Sequence, residues 1–494
     1  MAEKKYVDLI SKLKPEERAS AEKALRCISP DDSKYRKTSE KLADYLSASA
    51  EWMGYAFVQK VLLEKRVEFG KAEQKHLDEV ISALDNISCL NMDLIEKQVT
   101  KHDQLAVLED IGRFVSEETK ALLHPGTTSY DVIDTARAYL FKKAWFEVIR
   151  PEAAKSIEKL CTMSERTMVG ELLQVGRTHL QATSPVPLCQ TFSVFAARIA
   201  NRLQNCDAYF NDLRGKISGI VGTGASIDMV IGEEQSIEFE KKVLQTLGLK
   251  PDYTATQITQ KERYSDLGHG LVTLTQVAAA FADDVRKMYS TEIGELTSRD
   301  NQARLGGSSA DATKNNPIEY EHIIGTAKII KNAQGLLYDM IASDFQRDLT
   351  DSVPGRTQPQ EMMVETLRIF ERLNGALDQL SINEDRLKKN LQIVRDKPGE
   401  AMTAILRGER WVHSTYGVGH DFVKEMSKKA QKEAKPLLGV CLGDGEFKAL
   451  YEKLPEKKKD ILAGKIELYI GSAKERTEIN LEQARKIASA YSAQ

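Results

Sequence analysis

Residues 321–342 read EHIIGTAKIIKNAQGLLYDMIA, and the spacing of their apolar side chains decides the fold class. Ile323, Ala327, Ile330, Leu337 and Ile341 recur at intervals of three, four and seven, which lines one face of an α-helix. Upstream, Phe192, Phe195, Ile199 and Leu203 repeat the pattern, while Arg198 and Arg202 fall on another face. The stretch 264–290 is also helical in period, and Ala278 to Ala280 would let a neighbouring helix approach closely. No convincing alternating strand longer than four residues appears outside a possible turn region, Gly215 to Ile227. With 30 Gly and 13 Pro in 494 residues, chain breakers are sparse, so an all-α fold of long helices is expected.

Composition narrows the class further. The chain is 41% hydrophobic and 29% charged, so it can bury a large core, and its length suits two to four domains or one large elongated helical unit. Lys plus Arg is 70 against 73 for Asp plus Glu, a net charge of −3 that gives no electrostatic case for nucleic acid or a membrane surface. Cys27, Cys89, Cys161, Cys189, Cys206 and Cys441 form no C-x-x-C pair, which fits a reducing compartment. The first residues, MAEKKYVDLISKL, lack the apolar core of a secretory signal. The most apolar stretch, Leu271 to Ala282, contains Thr273, Thr275 and Gln276 and is too short to span a bilayer. A soluble cytoplasmic protein is expected, in which the sequon Asn86-Ile87-Ser88 has no role.

Loops of small or polar residues interrupt the helical middle: His124 to Tyr130, Gly176 to Pro187, Gly219 to Ser226, Ala303 to Pro317 and Asp351 to Gln360. Function is sought there, on loops held by a rigid scaffold. Lysines at 428, 429, 432 and 457–459 alternate with Glu425, Glu433 and Glu456, which reads as a solvated face. Gly443-Asp444-Gly445 lacks the ending of a phosphate loop, and Gly222-Thr223-Gly224 lacks the third glycine of a dinucleotide fingerprint. No H-E-x-x-H or Cys/His cluster points to a metal. Acid–base chemistry without metal or cofactor is the expectation.

The most informative loop is Gly307-Ser308-Ser309-Ala310-Asp311-Ala312-Thr313-Lys314-Asn315-Asn316-Pro317. Its G-S-S start and K-x-N-P ending resemble the signature of the fumarase/aspartase superfamily, whose members release fumarate from succinyl-type substrates or perform a related cycloisomerisation. Such chemistry removes a weakly acidic proton beside a carboxylate and must stabilise a dianionic aci-carboxylate. A Gly-Ser loop can close on that charge with backbone N–H groups, and Lys314 and Asn316 are suited donors. The resemblance makes Ser308 the base, with N–H dipoles and Lys314 favouring its alkoxide. Thr178-His179-Leu180-Gln181 resembles the superfamily's histidine region. By that likeness His179 is the general acid that protonates a departing nitrogen, a role suited to imidazole near neutral pH.

Other segments follow in the order found in the adenylosuccinate lyase family. Ser29-Pro30-Asp31-Asp32-Ser33-Lys34-Tyr35 resembles its S-P-x-D-G-R-Y, Lys101-His102-Asp103 its H-D pair, and Thr128-Ser129-Tyr130-Asp131 its T-S-x-D. Gly215-Lys216-Ile217-Ser218-Gly219 with Val221-Gly222 is similar to G-K-I-x-G-x-V-G, and Thr256-Gln257-Ile258 to T-Q-I/V. Asn316 to Glu321 is similar to an ending whose last Glu supports the histidine. In Gln346-Arg347-Asp348-Leu349-Thr350-Asp351-Ser352 and Arg356, the family likeness gives Arg347, Ser352 and Arg356 to a phosphate. Guanidinium forks suit that ligand. His102, Thr128, Ser129 and Gln257 would orient the succinyl part, and Lys34, Tyr35, Asp103, Thr178 and Ser309 complete the implied substrate-binding set.

Two departures stand out. Asp311 and Ala312 replace the usual Met and Pro of the signature loop, and Lys34 replaces an arginine. The resemblance implies cleavage of adenylosuccinate to AMP and fumarate, and of the succinylated imidazole-carboxamide ribotide of purine synthesis. A paralogue acting on another succinylated amine, argininosuccinate first, and a silent scaffold of the same fold are the alternatives. The likeness further implies three mainly helical domains, 1–117, 118–380 and 381–494, around a long central bundle. It also implies a homotetramer with shared active sites.

Overall fold

The computed structural model describes residues 14–16, 23, 26–299, 311 and 315–492. Its framework is α1 (Ala48–Glu68), α2 (Asp103–Gly112), α3 (Ser129–Ala144), α4 (Arg150–Val169), α5 (Leu188–Asn211), α6 (Glu262–Met288), α7 (Ile318–Asp339) and α8 (Ser352–Gln379). The expected helical class holds. Among the described residues the sheets are four two-stranded pairs, the largest being the antiparallel hairpin of β1 (Leu173–Thr178) and β2 (Gln181–Pro187). Among these residues no helix is long and apolar enough to cross a membrane.

The periodic positions do what their spacing demands. Ile323, Ala327, Ile330 and Leu337 on α7 are buried, as are Phe192, Phe195, Ile199 and Leu203 on α5. Burying each large one contributes about 2 kcal/mol. Ile341 does not join them: α7 ends at Asp339, and Ile341 is 41% exposed.

Two compact units divide the chain. The first comprises Met1–Pro151, Asn205–Val272 and Ile329–Arg368; the second comprises Glu152–Gln204, Thr273–Lys328 and Ile369–Gln494. Each change of unit falls inside one of α4 to α8. In the first unit α6 packs on α7 at Gly268, where a Cβ would lie 2.3 Å from Gln334 Oε1 and 2.4 Å from Leu337 Cδ1. In the second, Phe195 meets Phe281 edge-on at 5.3 Å, and Met402, Leu406, Phe422, Met426 and Phe447 share a C-terminal core. Around that core Lys428, Lys429 and Lys432 are exposed, as a solvated face requires.

Two segments read as loops are ordered elements. Gly176 to Pro187 lies in the β1–β2 hairpin, whose register shifts between Val175 and Arg177. Asp351 to Gln360 runs into α8, with Pro354 in its first turn and Pro359 inside it. A proline in the first turn needs no helical N–H partner, so Pro354 is compatible with a helix start.

Candidate active site

In the first unit, one group of side chains is built around the start of α3. Thr128 caps the helix: its side chain accepts from the backbone three residues on, and its own N–H donates to Asp131 Oδ2 at 2.6 Å. Asp131 is fully buried, pairs with the equally buried Lys216, and accepts from Ser218 N at 3.0 Å. That pairing compensates two charges that burial alone would penalise. Fixed in this way, the next residue places Ser129 Oγ 3.1 Å from His102 Nε2. His102 Nδ1 lies 3.2 Å from Asp103 Oδ1, and Asp103 Oδ2 accepts from Arg356 Nη2 at 3.0 Å. Burial and neighbouring Arg137 act to lower the pKa of Arg356, but the Asp103 carboxylate overrides them and the net shift is upward.

Beside this chain stands a second cation. Arg347 lies over the ring of Tyr130 with its guanidinium carbon 3.8 Å from the centroid, and its Nη1 donates to Gln257 Oε1 at 2.9 Å. The segment that carries it is tied down by Gln257 N and Thr256 Oγ1, both donating to Gln346 O. Asp348 folds back on its own turn: the Thr350 hydroxyl and the Asp344 and Thr350 amides hold its carboxyl at about 2. Ser352 opens α8, at the helix N-terminus where free N–H groups favour an anion, and Arg356 follows one turn later. Arg347 and Ser352 line one cleft with Tyr130, Arg137 and Lys261.

Of the residues singled out in the sequence, the structure places His102, Asp103, Thr128, Ser129, Gln257, Arg347, Ser352 and Arg356 in this first unit. Sequence reasoning misses Tyr130 as the platform under Arg347 and the buried Lys261–Asp134 pair, 3.0 Å apart, in the cleft wall. Lys34 and Tyr35 stand elsewhere in this unit, with Arg368 stacked on the Tyr35 ring at 4.1 Å and Lys34 exposed.

In the second unit, His179 and Leu180 form the two-residue turn of the β1–β2 hairpin, with φ of 54° and 61°. Both lie in the left-handed region that a two-residue hairpin turn of this type requires and that L residues resist. Thr178, His179 and Leu180 are all exposed. Glu321 is exposed on the first turn of α7, and no hydrogen bond or ion pair among the described residues joins it to His179. Asn316 is half-buried just before that helix. Ser308, Ser309 and Lys314 lie outside the described residues. Among the described residues no group of three or more His, Cys, Asp and Glu side chains could hold a metal.

Comparison with known proteins adds to this geometry. A protein family described as lyase matches residues 30–331. The adenylosuccinate lyase of Methanocaldococcus jannaschii is 27% identical over 419 residues, covering 84% of this chain and 87% of its own. That of Aquifex aeolicus is 27% identical over 436 residues, covering 86% and 94%. Among solved structures, a fumarate lyase from Mesorhizobium sp. BNC1 superposes with a TM-score of 0.75 at 20% identity, over 90% of this chain and 97% of that one. A 3-carboxy-cis,cis-muconate lactonizing enzyme from Pseudomonas putida gives 0.75 at 16% identity, over 92% and 97%. These two likenesses concern the fold.

Proposed function

The chain belongs to the lyase family of the fumarase/aspartase type, and from that premise we propose that it is an adenylosuccinate lyase. It would cleave adenylosuccinate to AMP and fumarate, and the succinylated imidazole-carboxamide ribotide likewise, in the cytoplasm and without a cofactor. The observation that carries the reading is the pairing of two cationic groups with a helix N-terminus. Arg347 stacked on Tyr130, with Ser352 at the start of α8 and Arg356 one turn on, suits a phosphomonoester. Ser129 and His102, 3.1 Å apart, then supply donors for the succinyl carboxylates, and Asp103 holds Arg356 in place.

In this proposal the Ser308 alkoxide removes the proton next to the carboxylate, and Lys314 and Asn316 stabilise the resulting dianion. The electron pair then expels the nitrogen as the C–N bond breaks, and His179 protonates it; Glu321 steadies that histidine. Thr178, Ser309, Lys34 and Tyr35 complete the substrate contacts. The domain division at 117 and 380 and a homotetramer with shared sites belong to the same proposal. Assembly would bring together loops that one chain holds apart, and light scattering in solution tests it: a monomer overturns it.

Purified protein incubated with adenylosuccinate should release fumarate, and Ser308→Ala should abolish turnover while AMP still binds. No release from adenylosuccinate, with release from argininosuccinate, would overturn the substrate assignment. Argininosuccinate carries no phosphate, so it would leave Arg347, Ser352 and Arg356 without their ligand. Release from neither substrate would favour a silent scaffold.

A further inference from the structure

Behind the Thr128–Ser129 loop lies a buried cation that the proposed chemistry does not use. Arg66, on α1, is 1% exposed and has no carboxylate partner among the described ion pairs. Its Nη1 donates to Leu122 O at 2.7 Å and its Nη2 to Pro125 O at 2.8 Å, while Nε meets no acceptor. Burial alone lowers its pKa, to about 10. A buried guanidinium without a counter-ion is costly, and two carbonyls offset only part of that cost.

The two carbonyls it grips flank a tight reversal. His124, between them, has φ of 68°, Gly126 has φ of 75°, and a Cβ at Gly126 would lie 2.8 Å from Ser226 O. Gln59, fully buried two helical turns before Arg66 and so on the same face of α1, places its Nε2 2.8 Å from His124 Nδ1. Thr127 closes the turn with N and Oγ1 on His124 O. The next two residues are Thr128 and Ser129. One face of one helix therefore fixes the path of the chain immediately before the two side chains assigned to the succinyl group. The field of Arg66 also reaches this loop, where it adds to burial in holding His124 neutral.

We infer that Arg66 is a positioning residue: its fork sets the place of Thr128 and Ser129 and puts an uncompensated positive charge behind a loop that receives a dicarboxylate. The second half of this statement rests on the lyase reading; the first does not.

The test compares Arg66→Gln and Arg66→Lys with the wild-type full-length protein. Calorimetry with fumarate and with AMP should show fumarate binding weakened about tenfold in Arg66→Gln and less in Arg66→Lys, which keeps the charge but not the fork. AMP binding should stay within about twofold of wild type in both. Equal loss for the two ligands, or loss for neither, overturns the inference. Hydrogen exchange of the Thr127–Tyr130 amides should quicken in both variants, and unchanged exchange also overturns it. If Arg66→Gln does not fold, Arg66→Lys and Gln59→Leu decide by the same two readouts. Wild-type protein that binds neither ligand would defeat the lyase reading, and exchange alone would then judge the positioning role.

Discussion

A lysine at position 347 would carry the same charge as Arg347 without its shape. The arginine does two things at once: its plane covers Tyr130 at 3.8 Å and its edge donates to Gln257 at 2.9 Å, leaving further N–H groups for an anion. An ammonium is a point donor and cannot stack in this way. Arg347→Lys should therefore raise the KM for adenylosuccinate about tenfold or more, with a smaller change in kcat, since a charged hydrogen bond is worth about 1.5–3 kcal/mol. The control is the succinylated nucleoside lacking phosphate, whose KM should hardly move. Equal effects on both substrates would remove the phosphate from this residue. Arg347, Ser352 and Arg356 could be picked out as candidates because they sit within one short run. Tyr130 as a platform and Arg66 as a clamp could not, because each acts on a partner far away in sequence and leaves no local spacing to read.

At the scale of elements, helices announced themselves and the hairpin did not. The face of α7 could be read from Ile323, Ala327, Ile330 and Leu337 because a 3.6-residue period repeats over several turns. The hairpin has two prolines in β2, a register shift in its middle and His-Leu where Asn-Gly would normally mark the turn. Pro354 and Pro359 likewise made the start of α8 look like a loop. The physics left out of such a reading is tertiary support for unfavourable local geometry. Leu180 tests that support. It is 67% exposed with φ of 61°. Left-handed backbone costs an L residue about 1–2 kcal/mol, and the extra unfolded-state freedom of glycine offsets about 0.5–1 kcal/mol of any relief. Leu180→Gly should accordingly raise the melting temperature slightly, as followed by circular dichroism. A fall would show that the leucine side chain is engaged in the assembled protein, and that the strain is held by contacts beyond one chain.

Over the whole molecule a net charge of −3 conceals a buried and a partly buried group whose pKa values move in opposite directions. Glu240, on the helix Ser236–Thr246, is 4% exposed, and Oε1 accepts from Ile217 N at 2.7 Å. Burial pushes its carboxyl from 4.5 up to about 7; the Ile217 hydrogen bond and Lys216 oppose this, and Asp131 and Asp252 add to it. Between those pH values the folded protein holds a proton that the unfolded chain has released, so stability falls as pH rises from 4.5 to about 7. The loss is of order 3 kcal/mol and is complete above the folded value. His124 runs the other way: burial lowers it from 6.5 to about 4, so its contribution is lost as pH falls through that interval. The two slopes oppose each other between pH 4.5 and 6.5 and are separated by substitution. Glu240→Gln keeps the acceptor for Ile217 N and cannot ionise. Its melting temperature should exceed that of the wild type at pH 8, and the gap should shrink toward pH 5. The variant should then lose stability on acidification below about pH 6.5, where His124 begins to contribute. A gap that is the same at both pH values would mean that Glu240 is ionised throughout, with water or an assembled partner solvating the carboxylate that this fold buries.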